Sequence, residues 1–233
     1  MAHHAIWPGG RVTALGVPSL PAGVSYLRWV GMCAVAEAVG MAAAATAARS
    51  STLWVGDVAN PADVIVALSF IVGAGLVEGF ALGVAQASAL TAVLPMGRRS
   101  GWMLMTVLVA GLGWAGASAP GILAGDTGGK PSTSFLLTGA VGVGAVMGAV
   151  LGAAQATVLI GCVPHPETWI LANIVGWTVT MPVIFLGASG ARAEWDLLAI
   201  AMWGGGTGLV AGTVLGIVTG LFLPWLGQPD EPR

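Results

Sequence analysis

Two acidic side chains stand where acids are costly. Glu37 and Glu78 each lie inside a long run of apolar residues, with no Lys or Arg in the same run to neutralise them. A carboxylate at the centre of a bilayer costs at least ~2.5–3.5 kcal/mol, so such residues face a cavity, a partner or a bound cation. Three states satisfy that requirement: a neutral carboxylic acid, a carboxylate holding a mobile cation, and a carboxylate lining water. Cys33 and Gly40 share a helix face with Glu37, which keeps that face small. A neutral Glu used as interhelical glue, bonded to Gln86, Thr or backbone carbonyl, is the structural alternative.

Amides accompany the acids. Gln86, Gln155 and Thr219 recur at corresponding places, and Asn173 stands four residues after Trp169. The candidate ion- or substrate-binding set is therefore Glu37, Glu78, Gln86, Gln155 and Asn173, with the amides as neutral ligands. Either the Gln and Thr side chains line a polar constriction or they hydrogen-bond between helices. No catalytic residue is assigned.

The elements that must carry these groups are membrane helices. The chain of 233 residues is 56% hydrophobic and only 8% charged, with mean hydropathy +0.89, which no soluble domain approaches. The apolar runs do not alternate with polar residues, and this excludes a β-barrel. Six spans follow, at about 24–48, 64–90, 101–122, 135–160, 168–188 and 198–223, with Pro182 kinking or ending the fifth. Residues 1–23 form a Pro- and Gly-containing polar tail with no cleavable signal evident, and 227–233 a second tail.

Within the even-numbered spans glycines recur every fourth residue: Gly75, Gly79 and Gly83; Gly144, Gly148 and Gly152; Gly208, Gly212 and Gly216. Each set forms a smooth helix face suited to close backbone approach. Gln86, Gln155 and Thr219 continue those faces, since eleven residues return to within about 20°. Trp29, Trp102 and Trp169 open the odd-numbered spans, with Cys33, Thr106 and Asn173 four residues later. The reading is an all-α integral membrane protein of three pseudo-repeated two-helix hairpins, at about 24–94, 101–163 and 168–226, related by a threefold axis along the bilayer normal. Glu78 breaks the repeat, because Met147 and Ala211 stand at the matching positions.

The string Leu151-Gly152-Ala153-Ala154-Gln155, followed by Trp169-Ile170-Leu171-Ala172-Asn173-Ile174-Val175-Gly176-Trp177, resembles a signature of uncharacterised bacterial multi-pass membrane proteins. Leu82-Gly83-Val84-Ala85-Gln86 repeats its first half. In those proteins a Trp and a basic turn often follow the Gln, whereas Ala87 and Ala156 stand here. The resemblance implies a membrane fold of repeated hairpins and no particular activity.

Other chemistries lack their residues. No His lies in a span, which argues against bis-His haem, and the only Lys, Lys130, sits in a loop, which argues against a retinal Schiff base. Cys33 and Cys162 have no CxxC spacing, and Cys162, His165 and Glu167 share a loop that Pro164 and Pro166 hold extended, unsuited to a metal. The glycine runs lack the strand and Lys of a phosphate loop. No cofactor is expected. A net charge of −2 without a basic patch offers nothing to nucleic acid. Trp29, Trp54, Trp102, Trp169, Trp195 and Trp225, near span ends, read as an interfacial belt, with Trp114, Trp177 and Trp203 deeper.

Arg11, Arg28, Arg98, Arg99 and Arg233 fall on the side of the termini and Arg49, Lys130 and Arg192 on the other, which places the termini in the cytoplasm of a cell with this protein in its inner membrane. The partners expected are membrane lipids, with a second copy or a membrane subunit meeting the glycine faces. The leading functional reading is a small transporter or channel for a small solute, cation or proton. A non-catalytic scaffold or lipid-binding subunit and an intramembrane enzyme using a protonated Glu on a lipid or isoprenoid are the alternatives.

Overall fold

A computed structural model describes residues 20–124 and 132–227. Six helices account for nearly all of them: α1 (Tyr26–Val55), α2 (Pro61–Ala89), α3 (Met96–Ala124), α4 (Thr133–Leu159), α5 (Thr168–Ser189) and α6 (Leu197–Gly220), followed by a 3-10 turn at Leu223–Gly227. Each of the six is long and apolar enough to cross a bilayer. At 1.5 Å per residue they measure about 33–45 Å, against a hydrocarbon core of about 30 Å. The chain is a multi-pass helical membrane protein. Lys130 and the terminal tails lie outside the described residues.

The helix ends have local causes. Ser25, Asn60, Ser132 and Asp196 cap α1, α2, α4 and α6 with side-chain acceptors, and at α2 Asp63 returns a bond to the Asn60 amide with Pro61 in the first turn. Gly56 and Gly161 turn the chain at positive φ, 65° and 77°. Two expected boundaries move. The first helix, expected to end near 48, continues through Arg49 to Val55. The third helix, expected from about 101, starts at Met96, so Arg98 and Arg99 sit in a helical first turn where the dipole disfavours cations. Their guanidiniums are held by carbonyls: Arg99 donates to Leu94 O and Thr91 O, and Arg98 to Val158 O. Pro182 lies inside α5, which runs on to Ser189.

The helices form a ring in chain order, closed by α6 against α1. Glycine lets three of the contacts become intimate. A Cβ at Gly79 of α2 would stand 2.8 Å from Val107 Cα of α3, one at Gly148 of α4 the same distance from Ile174 Cα of α5, and one at Gly212 of α6 again 2.8 Å from Ala34 Cα of α1. At such separations the backbones are in van der Waals contact, the close packing that replaces hydrophobic drive in lipid. Leu82, Leu151 and Leu215 are buried beside these contacts. By contrast α3 and α4 meet loosely, with Met147 reaching across to Gly113.

A carboxyl cavity above a tryptophan–amide knot

The end of the bundle where α1 begins and α6 ends is closed by polar groups with no access to solvent. Trp29, Trp102 and Trp169 are each fully buried, and Trp169 lies 5.5 Å from Trp29 edge-on and 5.7 Å from Trp102. Each indole N–H donates to a side chain on the glycine-bearing helix that its own helix packs against. Trp102 donates to Gln86 Oε1 at 3.3 Å, Trp169 to Gln155 Oε1 at 2.8 Å and Trp29 to Thr219 Oγ1 at 3.0 Å. The amide of Gln155 then ties two of these pairs together, donating to Gln86 Oε1 at 3.0 Å and Thr106 Oγ1 at 2.9 Å. The Thr106 and Thr219 hydroxyls donate in turn to Trp102 O and Leu215 O.

Burial of these three tryptophans overturns their assignment to an interfacial belt. Position near a span end does place an indole at headgroup depth, but it does not say which way the ring faces. Here the rings turn inward, because a buried acceptor waits for each N–H. Trp54 and Trp225 do lie at the surface.

Gln86, Gln155 and Asn173, offered above as ligands, are occupied within the protein. Asn173 donates to Trp169 O at 2.9 Å, and its backbone covers Gly148. Gln86 and Gln155 are engaged in the knot, and the Asn173 amide in its own helix.

The acids occupy the next layer. Glu37 lies eight residues beyond Trp29 on α1, and Glu78 eight before Gln86 on α2. Both are therefore about 12 Å from the knot along their helices. Glu37 is fully buried against Gly208 and Gly212 of α6, and neither carboxyl oxygen has a hydrogen-bond partner. Glu78 crosses Gly40 of α1, where a Cβ would displace it, and Oε2 accepts from Trp114 Nε1 at 2.7 Å. Glu78 therefore crosses α1 within one helical turn of Glu37. Among the described residues no Lys or Arg lies within ion-pair distance of either.

Glu78 and Trp114 also line a cavity of about 270 Å³ between α2, α3, α4 and α5. Its other walls are mostly apolar and soft, including Met147, Met181, Phe185 and Trp177. Two further buried polar atoms have no partner, Trp177 Nε1 and Thr180 Oγ1, both on α5. Trp177 stands eight residues after Trp169, the same step that separates Glu37 from Trp29, and α1 and α5 run in parallel. All the unpartnered buried side-chain atoms among the described residues thus belong to α1 and α5 at similar depth. Trp114 and Trp177 read as deep from the sequence alone, but nothing there joins Trp114 to Glu78, which packing brings to it from another helix.

At the loop between α4 and α5, His165 Nδ1 and Glu167 Oε1 are 3.0 Å apart. The Glu167 carboxyl is held below its usual range, chiefly by a backbone amide and then by His165. No protein family, curated protein or solved structure matches the chain.

Proposed function

We propose that this protein carries a proton or small cation across the membrane, with Glu37 and Glu78 as the intramembrane site. The observation that supports this reading is the burial of both acids within one turn of each other across Gly40 without a cationic side chain, Glu78 opening onto a cavity while Glu37 has no partner. Two acids this close in a medium of low dielectric resist ionising together, so a proton or cation held between them is the natural counter-charge. Binding of a cation to the ionised pair and its release on protonation would couple one flow to the other. Closure of the bundle by the tryptophan–amide knot blocks a path from the site to the terminal side, which fits one state of an alternating cycle.

We further infer that the scaffold is three copies of one unit. Trp29, Trp102 and Trp169 with their acceptors, and the glycine contacts at Gly79, Gly148 and Gly212, would be its corresponding parts. In that frame Glu37 corresponds to Ala110 and Trp177, and Glu78 to Met147 and Ala211, so the acids belong to one side of a symmetric frame. Arg28, Arg98 and Arg99 at the knot end favour that end as cytoplasmic in a bacterial plasma membrane.

The apolar cavity walls favour one other reading: an apolar solute or lipid bound there, with protonated Glu78 as hydrogen-bond donor. Proton release separates the two. Addition of Na+, K+ or tetraphenylphosphonium to the purified protein in weakly buffered detergent should liberate protons in wild type and not in Glu78→Gln. Absence of release with all three would remove the coupled-cation reading.

A further inference from the structure

A second cavity lies at the opposite end of the bundle, and its chemistry differs from that of the carboxyl site. It occupies about 400 Å³ between α1, α5 and α6. Met41, Ala44 and Ala45 of α1 and Trp203 of α6 supply apolar walls, and its inner end reaches Trp114. Arg49, near the end of α1, and Arg192, in the loop joining α5 to α6, stand in the same lining. Both belong to the face away from the knot.

These two guanidiniums are not neutralised. No Asp or Glu contributes to the cavity, and among the described residues no carboxylate comes within 4 Å of either arginine. Glu194 and Asp196 follow Arg192 closely in sequence, yet Asp196 Oδ1 is engaged in capping α6. Arg192 instead lies over the Trp195 ring at 5.8 Å, which in turn packs edge-on against Trp203 at 5.5 Å. The aromatic pair thus braces a cation at the mouth of an apolar hole. Arg guanidinium is the side chain best matched to a phosphate oxygen pair, and helix-end arginines lie at headgroup depth.

We propose that this cavity binds one anionic phospholipid, its phosphate between Arg49 and Arg192 and the start of an acyl chain running inward toward Trp114. Charge complementarity selects the headgroup, and the apolar wall selects a lipid over a free anion. The proposal shares only Trp114 with the carboxyl site and stands whether or not the protein carries cations.

Native mass spectrometry of the full-length protein, released from detergent with equimolar dioleoyl phosphatidylglycerol and dioleoyl phosphatidylcholine, tests it. Wild type should retain one phosphatidylglycerol in strong preference. Each of Arg49→Gln and Arg192→Gln should lower that preference about fivefold, and the pair roughly 25-fold, from the usual contribution of a basic residue near anionic lipid. Ala48→Trp, which keeps both arginines and fills the mouth, should abolish retention. Inorganic phosphate at millimolar concentration should not displace the lipid. Equal retention of the two lipids by wild type, an undiminished preference in the double arginine variant, lipid retained by Ala48→Trp, or displacement by phosphate alone would each overturn the proposal.

Discussion

Replacing Gln155 by Leu removes three buried hydrogen bonds with little change of volume. Two are donated by its amide, to Gln86 Oε1 and Thr106 Oγ1, and one is accepted from Trp169 Nε1. The consequences for the partners differ. Gln86 Oε1 keeps the Trp102 donor, and Thr106 keeps its bond to Trp102 O. Trp169, fully buried, loses its only acceptor. An orphaned buried donor costs about 1–3 kcal/mol, and intramembrane side-chain bonds contribute about 0.6 kcal/mol each. The loss should total about 2–4 kcal/mol in reversible unfolding from mixed micelles. Trp169→Phe supplies the decisive comparison, because it removes the same donor. In that background Gln155→Leu should be milder by about 1–2 kcal/mol, a coupling read directly from a double-mutant cycle. If Gln155→Leu is neutral, or the two substitutions add without coupling, the knot contributes no stability through this bond and the energetic argument fails.

Glycine contacts give a contrast within single helices. Gly208→Ala and Gly148→Ala would drive a methyl into the backbone of Glu37 and Asn173, and should lower stability by several kcal/mol, whereas Gly206→Ala meets nothing within 4 Å and should stay within about 1 kcal/mol of wild type in the same unfolding assay. Glu37→Met removes two unpartnered oxygens from the core and should raise the thermal midpoint, a gain of about 1–3 kcal/mol, while eliminating transport; unchanged transport would exclude Glu37 from the site. Trp114→Phe frees Glu78 Oε2 from its donor and should alter the pH dependence of flux more than its maximal rate, measured in liposomes across a pH series. Glu167, held below its ordinary range in the folded chain, adds stability above that range and loses it as the pH falls through it; Glu167→Gln should flatten the acid limb of the melting profile, and an unchanged limb would discount the His165 contact.

Much of the frame was readable before any coordinates. Six long apolar runs had to be helices, because lipid leaves the backbone few other ways to satisfy its own hydrogen bonds. The four-residue glycine spacing showed which face of each even helix could approach a neighbour. It did not show the neighbour, since the closure of α6 on α1 depends on backbone complementarity between segments some 180 residues apart, as Gly212 against Ala34 illustrates. Trp29, Trp102 and Trp169 were misplaced for a related reason: hydropathy and position along a span fix depth in the membrane but not rotation about the helix axis. Glu37 and Glu78 were legible as costly residues from the apolar runs around them. Their mutual approach was not, because it requires Gly40 to let the Glu78 side chain lie across α1. The cavity beside Glu78 likewise follows from the loose seam between α3 and α4, a feature of packing with no mark in either helix.

The most direct test of the carboxyl site is flux. Purified protein in liposomes loaded with a pH indicator should pass protons down an imposed gradient, or exchange them for a cation, in wild type. Glu37→Gln and Glu78→Gln should each abolish that flux while the protein remains folded by circular dichroism. Wild-type vesicles as tight as empty ones, or variants that conduct as wild type does, would contradict the account.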